Sequence, residues 1–564
     1  MPQSVLSWER VRALLSVPLS DSQLDDLLFE SKAELAGRDG DSLTVSVTPD
    51  RLDLLSEAGL ALHLAGALEI AHGLPKVRAT ATTSPKPRFQ VDASVDPIRP
   101  WISGLLLRAP DDRGLDAGTL AEAVRFQELI HSTLGRDRRV ASLGIYPWER
   151  VVSPIRYSLE PLGDVRLVPL DGDQEVGGDQ FFRDHPLAAR YGAFGRVGDR
   201  CLVLKDAEGA VLSLPPVLNS RSAGEARTGD RELLLESTGT QFRPVRESLG
   251  LLLLVFAARG WSVETVEVDG AEGCIDDGHA VLSPPAVDVP SALLREVGGE
   301  ALPSAEVERR LSRARLSSRP HAGGWRVEVP PWRPDLGAAV DIIEDILIAV
   351  PLRPEDGIVP PSATRGRRRP NVLFRRRVAT DLLGLGFAAP NTTVLVSEAS
   401  VARLPGTSPI HLTNPVSAEF AYLRDRLLLS HLDVLAHNTR HGYPQRFAEV
   451  GPVVVRSPES DAGGDTRYHA SLVVASDTAG FSDAAALLDY LLRRRDVLAV
   501  REPVELPGLI PGRAARARIA GEVVAELGEV HPQILSELGV PVPVAWAELD
   551  LTALWPLVAR REGD

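Results

Sequence analysis

The sequence predicts a mixed α/β protein of several domains, of the α+β multidomain class. Three observations lead there. The chain runs to 564 residues, more than one hydrophobic core accommodates. Helical patterns such as Leu120 to Leu134 alternate with β-branched runs at Val45 to Val47, Val151 to Val152 and Val453 to Val455. Small, polar or proline-bearing seams then cut the chain into segments, and no simple internal repeat relates one segment to another.

Taken in order, Pro49 and Asp50 predict a turn, and Asp53 or Ser56 is placed to cap a helix that carries Leu60, Leu62 and Leu64. The stretch from Arg78 to Pro87 is small, polar and proline-bearing, as a linker should be. From Val266 to Pro290 the turn signals Asp269-Gly and Asp276-Asp-Gly, with paired prolines, predict short strands and turns. Repeated prolines from Pro351 to Pro361 stop a preceding helix and separate it from the remainder.

Composition narrows the setting. No apolar run approaches the roughly 20 residues of a membrane span, and the first residues lack the basic head and apolar centre of a signal peptide, so a cytoplasmic protein is expected. Cys201 and Cys274 are the only cysteines, which implies no disulfide framework and no cysteine-based zinc site. The net charge of −15 argues against a polyanionic partner until its distribution is examined. Lysine occurs only at positions 32, 76, 86 and 205, and arginine gathers at Arg365 to Arg369, Arg375 to Arg377 and Arg493 to Arg495. The first two, taken as one local run, and the third each suit RNA phosphate through planar forks; the plainer readings are a linker and a solvated helix end.

The densest chemical signal is Val329-Pro-Pro-Trp-Arg-Pro-Asp-Leu-Gly-Ala-Ala-Val-Asp-Ile-Ile-Glu-Asp-Ile-Leu347. Asp341, Glu344 and Asp345 stand at offsets of three and four, so a helix aims three carboxylates at one patch. Val340, Ile343, Leu347 and Val350 repeat with the same period and predict the buried face. Oxygen ligands without Cys or His suit Mg²⁺ or Ca²⁺. The plainer alternative is a solvated acidic face.

That segment resembles the helical-turn module of the phenylalanyl-tRNA synthetase β-subunit family, where a Trp/Tyr-Arg-x-Asp strand end and an Asp-x-x-Glu-(Asp/Glu) helix hold a magnesium at the contact with the α subunit. Further elements follow the same family order along nearly the whole chain. They are Thr48-Pro-Asp-Arg-Leu-Asp-Leu-Leu-Ser56, Gln127-Glu-Leu-Ile-His131, Leu134-Gly-Arg-Asp-Arg-Arg139, Gly144-Ile-Tyr146, Val211-Leu-Ser-Leu-Pro-Pro-Val-Leu-Asn-Ser220 and Leu234-Leu-Glu-Ser-Thr-Gly-Thr240. Asn414-Pro-Val-Ser-Ala-Glu-Phe-Ala-Tyr-Leu-Arg424, Arg446-Phe-Ala-Glu-Val-Gly451, Ile510-Pro-Gly-Arg-Ala514 and Gly528-Glu-Val-His-Pro532 complete the set.

The resemblance, to the shorter archaeal/eukaryotic type, implies four modules: an N-terminal α/β module over 1–77, a tRNA-editing module over 88–265, a small winged-helix-like metal and interface module over 266–352, and a class II catalytic-like antiparallel module over 362–564. It implies a metal set of Asp335, Asp341, Glu344 and Asp345 holding Mg²⁺ shared with an α subunit, in an α2β2 heterotetramer that charges the tRNA specific for phenylalanine. ATP is bound by the α subunit. A class II active site needs an arginine on the α-phosphate and a second arginine in a Gly-rich element. Nothing after Pro370 resembles the latter, so no catalytic residue for aminoacylation is assigned, and Asn414, Arg424 and Arg513 are expected in structural hydrogen bonds.

The resemblance also implies hydrolytic editing of tyrosyl-tRNA. A site that hydrogen-bonds a hydroxyl discriminates strongly for it, whereas an apolar pocket cannot. Glu236 is the expected acceptor, with Ser213 and Thr238 as neighbouring hydroxyls, Leu204 as apolar wall and Gln127 near the ester; a water is the expected nucleophile. The alternative reading is a divergent paralogue, a specialised or inhibitor-tolerant synthetase subunit or a tRNA-binding and editing module.

Overall fold

The computed structural model describes residues 2–15, 17–79, 86–270, 279–283, 285–299, 301–348 and 364–559. It contains two compact units, Met1–Ile358 and Val359–Asp564.

The first unit opens with a three-stranded antiparallel sheet in which Ser42–Val47 lies between Gln3–Ser7 and Ala33–Asp39. Leu43, Val45 and Val47 alternate inward, as a half-buried strand requires. Beyond the Pro49–Asp50 turn, Ser56 caps the Glu57–Ala67 helix by accepting from the Gly59 N–H at 3.0 Å. Asp53 is three residues too early for that work. It pairs instead with the Arg51 guanidinium through two bonds of 2.9 and 2.8 Å.

Two sheets face each other in the middle of this unit. One has the order Arg78–Ala79, Ser262–Thr265, Trp101–Arg108, Glu232–Gly239, Ala141–Pro147. The other runs Leu218–Asn219, Val211–Leu214, Arg200–Lys205, Ile155–Pro161, Arg88–Val91, Glu267–Asp269, with Arg196–Val197 off its Arg200–Lys205 strand. Strand alternation divides the side chains cleanly. Leu233 and Leu235 turn to a core that includes Phe126 and Ile130 of the Ala117–Ser132 helix and Leu249 and Leu253 of the Phe242–Ala257 helix. Leu234 packs between the sheets with Phe89, Tyr157, Leu202 and Leu212.

Several expectations need correction here. Glu267–Asp269 pairs in parallel with Arg88–Val91, so the second sheet continues past residue 265, and Arg78–Ala79 joins Ser262–Thr265 ahead of residue 88. Val151 and Val152 form no strand, because the ladder begins at Ile155 after Pro154, which has no N–H to give.

The last part of the unit has a three-stranded antiparallel sheet, Ala286–Pro290, Gly324–Glu328, Ser317–His321, with helices Ser291–Gly298, Ser304–Arg313 and Ala339–Ile348. In the Ala339–Ile348 helix the buried stripe is Ile342, Ile343 and Ile346. Val340, expected on that stripe, is 50 % exposed, because the helix is rotated to bury Asp345. Cys274, Val350, the Pro351 to Pro361 seam and residues 80–85 of the first linker lie outside the described residues.

The second unit is built on a six-stranded, wholly antiparallel sheet of order Gln445–Arg456, Gly464–Ala475, Val544–Asp550, Glu522–Val530, Leu509–Ile519, Val500–Pro503. One face is covered by the Pro370–Gly384, Phe481–Arg493 and Leu551–Ala559 helices through Phe374, Leu488 and Leu554. The other carries the Leu428–His437 helix through Leu428, Leu432 and Leu435. No helix among the described residues is long and apolar enough to cross a membrane.

Candidate functional site

A cavity of about 280 Å³ opens between the Ala117–Ser132 helix and the segment from Ser213 to Asn219, floored by the strand Ala141–Pro147. Register places its chemistry. Glu236 pairs with Gly144 and Leu234 with Tyr146, so Gly144, Tyr146 and Glu236 share the face turned toward the second sheet. Glycine at 144 is required by contact. A Cβ there would stand 2.2 Å from the Tyr146 hydroxyl and 2.7 Å from Glu236 Oε2. The Tyr146 phenol therefore crosses over residue 144 and donates to Glu236 Oε2 at 2.9 Å, with Ser213 Oγ at 2.9 Å on its other side.

Glu236 is 3 % exposed. Burial pushes its carboxyl up to about 7, opposed by the Tyr146 hydroxyl, the Arg99 charge and the nearby Thr238 hydroxyl. Oε1 is buried and makes no directed hydrogen bond. A native value above that of the unfolded chain means that the folded form binds the extra proton, so stability from this group falls as pH rises from about 4.5 through 7. Glu236→Gln is accordingly expected to stabilise the chain by roughly 2 kcal/mol at pH 8 and by little at pH 4.5. Denaturant melts at the two pH values check this, and an equal shift at both would count against a strained carboxylate.

The cavity mouth is polar. Gln127 donates to the Leu143 carbonyl at 2.8 Å. His131 Nε2 accepts the Leu143 N–H at 2.8 Å, which places the ring proton on Nδ1, toward Glu128 Oε1 at 3.2 Å. Despite partial burial, His131 and Arg138 hold Glu128 down at about 2. Arg138 also donates to the Pro216 and Val217 carbonyls at 3.2 and 2.9 Å. It closes a run of three left-handed residues, Arg136, Asp137 and Arg138, with φ of 49°, 56° and 65°. Three such residues in succession are costly for L side chains. They are held by hydrogen bonds and by stacking of Arg138 on Tyr191 at 4.5 Å.

Of the expected editing residues, Gln127, Ser213 and Glu236 line the cavity. Leu204 does not: it lies in the core between the sheets, behind Tyr146, because its strand position faces inward. Thr238 does not line the cavity either: one strand repeat beyond Glu236 on the same face, its hydroxyl accepts from Arg99 Nε at 3.1 Å and meets Ser142 Oγ at 3.2 Å. Tyr146, which the sequence offered only as the end of the Gly144-Ile-Tyr146 element and not as a site residue, also lines the cavity and holds Glu236.

The four expected metal ligands are not gathered into one shell. Arg333, 4 % exposed, forks onto Asp335 at 2.8 to 3.1 Å and reaches Asp345 Oδ2 at 2.9 Å. Asp341 Oδ2 accepts the Gly337 and Ala338 N–H groups at 2.9 and 2.7 Å, capping its own helix. Glu344 pairs with Lys32 at 2.6 Å. Among the described residues no group of three or more His, Cys, Asp or Glu side chains is arranged to hold a metal ion. The cationic charge that the spacing demanded is supplied by Arg333 and Lys32, so these residues do not fit a magnesium shell within this chain.

In the second unit Arg424 is fully buried and donates to Glu449 at 3.0 Å, Ser430 at 2.9 Å and the Pro452 carbonyl at 3.1 Å. Arg513 pairs with Glu529 at 2.6 Å. Asn414 is exposed on a bend. The two basic runs meet in one groove of about 520 Å³ that brings Arg368, Arg376, Arg377, Arg494 and Arg495 around Asp381.

The modules define a class before they define a family. Residues 287–350 match the tRNA synthetase B5 domain, and residues 358–551 match the phenylalanyl tRNA synthetase beta chain CLM domain, so the chain is assembled from synthetase parts. It is 30% identical to the phenylalanine--tRNA ligase beta subunit of Halorubrum lacusprofundi, over 98% of this chain and 100% of that one. With the corresponding subunit of Thermococcus gammatolerans it shares 27% identity over 98% of this chain and 99% of the relative. A crystal structure of an N-terminal fragment of the Pyrococcus horikoshii phenylalanyl-tRNA synthetase beta-subunit superimposes with a TM-score of 0.57 at 26% identity, covering 62% of this chain and 99% of the fragment. The chain belongs to the phenylalanine--tRNA ligase beta subunit family.

Proposed function

We propose that this chain is the non-catalytic half of a phenylalanine-charging ligase, assembled with an α subunit that binds ATP and performs aminoacylation, and that its own chemistry is the hydrolytic removal of tyrosine from mischarged tRNA. The single observation that carries the editing reading is the buried Glu236 carboxylate, with one oxygen held by Tyr146 and the other without a directed bond, at the end of a cavity wide enough for an aromatic side chain. A buried carboxyl raised by its surroundings in a cleft, beside a specific hydrogen-bond partner, marks a candidate functional site. In this reading the tyrosine hydroxyl meets Glu236, and the ester lies toward Gln127 at the mouth. Water adds to the ester carbonyl, the bond to the ribose oxygen breaks, and that oxygen takes the proton.

The six-stranded antiparallel sheet of the second unit supports reading it as a class II-like module whose arginines serve structure, since Arg424 is committed to Glu449. The three helices and small sheet over 287–348 support a winged-helix-like interface module. Within this chain Arg333 and Lys32 engage Asp335, Asp345 and Glu344, and Asp341 is spent on backbone N–H groups. The arginine groove, positive within a chain of net charge −15, suits tRNA phosphate.

One preparation tests the assembly and the groove together. Co-expressed with its α subunit, the chain is expected to elute as an α2β2 species that charges tRNA with phenylalanine. Arg376→Gln with Arg494→Gln should leave elution unchanged and flatten the dependence of log affinity for tRNA on log salt by about 1 to 2. A monomer that ignores the α chain would remove the ligase reading, and an unchanged salt slope would remove the groove from the RNA contact.

A further inference from the structure

The phenol of Tyr146 lies fully inside the protein, 1 % exposed, at the closed end of the cavity. Its hydroxyl has one proton to give. That proton goes to Glu236 Oε2, so the Ser213 hydroxyl, 2.9 Å from the phenol oxygen, must be the donor to it. The chain of bonds therefore runs from Ser213 through Tyr146 to Glu236 and uses Oε2. Oε1, buried and without a directed hydrogen bond, is the oxygen left for a ligand.

We propose that Tyr146 is the positioning residue that sets the specificity of this pocket: by holding Glu236 Oε2 it turns the carboxylate so that Oε1 alone meets an incoming phenolic hydroxyl. This role rests on the editing reading given above. It also fixes where a proton must sit. While Tyr146 donates to Oε2, any proton taken by Glu236 goes to Oε1, and the atom facing the ligand changes from acceptor to donor. Other polar groups around Glu236 are Arg99 from the segment before the Trp101–Arg108 strand, Thr238 from its own strand and Ser213 from the second sheet. Arg99 donates to Thr238, Ser142 and the Arg138 and Arg139 carbonyls, which keeps its charge near but off the carboxylate.

The test uses the full chain assembled with its α subunit, without ATP, on tRNA charged with tyrosine or with phenylalanine, from pH 6 to 9. Wild-type protein is expected to prefer tyrosyl-tRNA and to lose that preference as pH falls through about 7, where Glu236 takes its proton. Tyr146→Phe keeps the ring and removes only the donor. It should reduce the tyrosine-over-phenylalanine preference roughly tenfold, chiefly through KM, and move the midpoint of the pH profile upward, because the ionised carboxylate has lost a hydrogen bond. Ser213→Ala should shift both readouts in the same direction by less, and it carries the test should Tyr146→Phe fail to fold. Unchanged preference and unchanged midpoint in both variants would overturn the role of Tyr146 while leaving editing in place. A wild-type complex that hydrolyses neither substrate overturns the editing reading, and this role with it.

Discussion

Glu236→Ala is expected to slow release of tyrosine from mischarged tRNA by ten- to a hundredfold while sparing the rate of phenylalanine charging. Loss of a charged hydrogen bond to a buried hydroxyl costs about 1.5 to 3 kcal/mol, which is that range of rate. Selectivity of the loss is the informative part. Charging is assigned to another polypeptide, so a substitution at the end of this cavity has no direct route to it. Parallel deacylation and aminoacylation assays on one preparation decide the matter. Equal losses in both would mean that the substitution had damaged the assembly, and no loss in either would mean that the cavity does not process tyrosyl esters.

Arg333→Ala is expected to destabilise the first unit by about 3 to 5 kcal/mol, the usual consequence of removing one partner from a buried ion pair. The guanidinium serves Asp335 and Asp345 at once, and both carboxylates are below 10 % exposed. Behind it lies a second buried pair, Arg51 with Asp53; despite burial, the two arginines hold the Asp53 carboxyl below its usual range. With Arg333 gone, the acids face one another with one fewer cation and must either take protons or open the helix. The deficit should therefore shrink as pH falls from 7 toward about 4, because a buried carboxyl without its cation takes a proton above the ordinary carboxylate range. Denaturant unfolding at pH 7 and pH 4 reads both effects, and a loss under 1 kcal/mol at pH 7 would show that the network contributes little.

Individual elements were legible in the sequence because they are written in local patterns: a capping serine at Ser56, an alternating strand at Val45 to Val47, and an acid-bearing helix behind a proline-rich strand end. Glu236 was singled out by the family resemblance alone, since a lone carboxylate in a strand carries no local mark of a cavity. What could not be read was direction and competition. Spacing placed Asp341, Glu344 and Asp345 on one helix, but it carries no information about Arg333 or Lys32, which come from outside that helix and reach the acids first. The same spacing put Val340 on the apolar face, since a helix pattern fixes period more firmly than rotation. Thr238 was assigned to the pocket by the family resemblance, yet the buried Arg99, 139 residues earlier, claims its hydroxyl. Long-range partners decide between equivalent local readings, and a single sequence does not announce them.

The passage of the Tyr146 phenol over Gly144 has a consequence for how this pocket can diverge. Any side chain introduced at 144 collides with the phenol oxygen at 2.2 Å and with its ring carbon at 2.5 Å. A shortened side chain at 146 would vacate that space. The two positions are thus coupled but not alone: Gly144→Ala meets the phenol while Tyr146 is present, and with a small residue at 146 it still meets Glu236 Oε2 at 2.7 Å. Freeing position 144 requires both a smaller residue at 146 and a displaced Glu236 carboxylate, so the glycine is expected to outlast the tyrosine wherever Glu236 is kept.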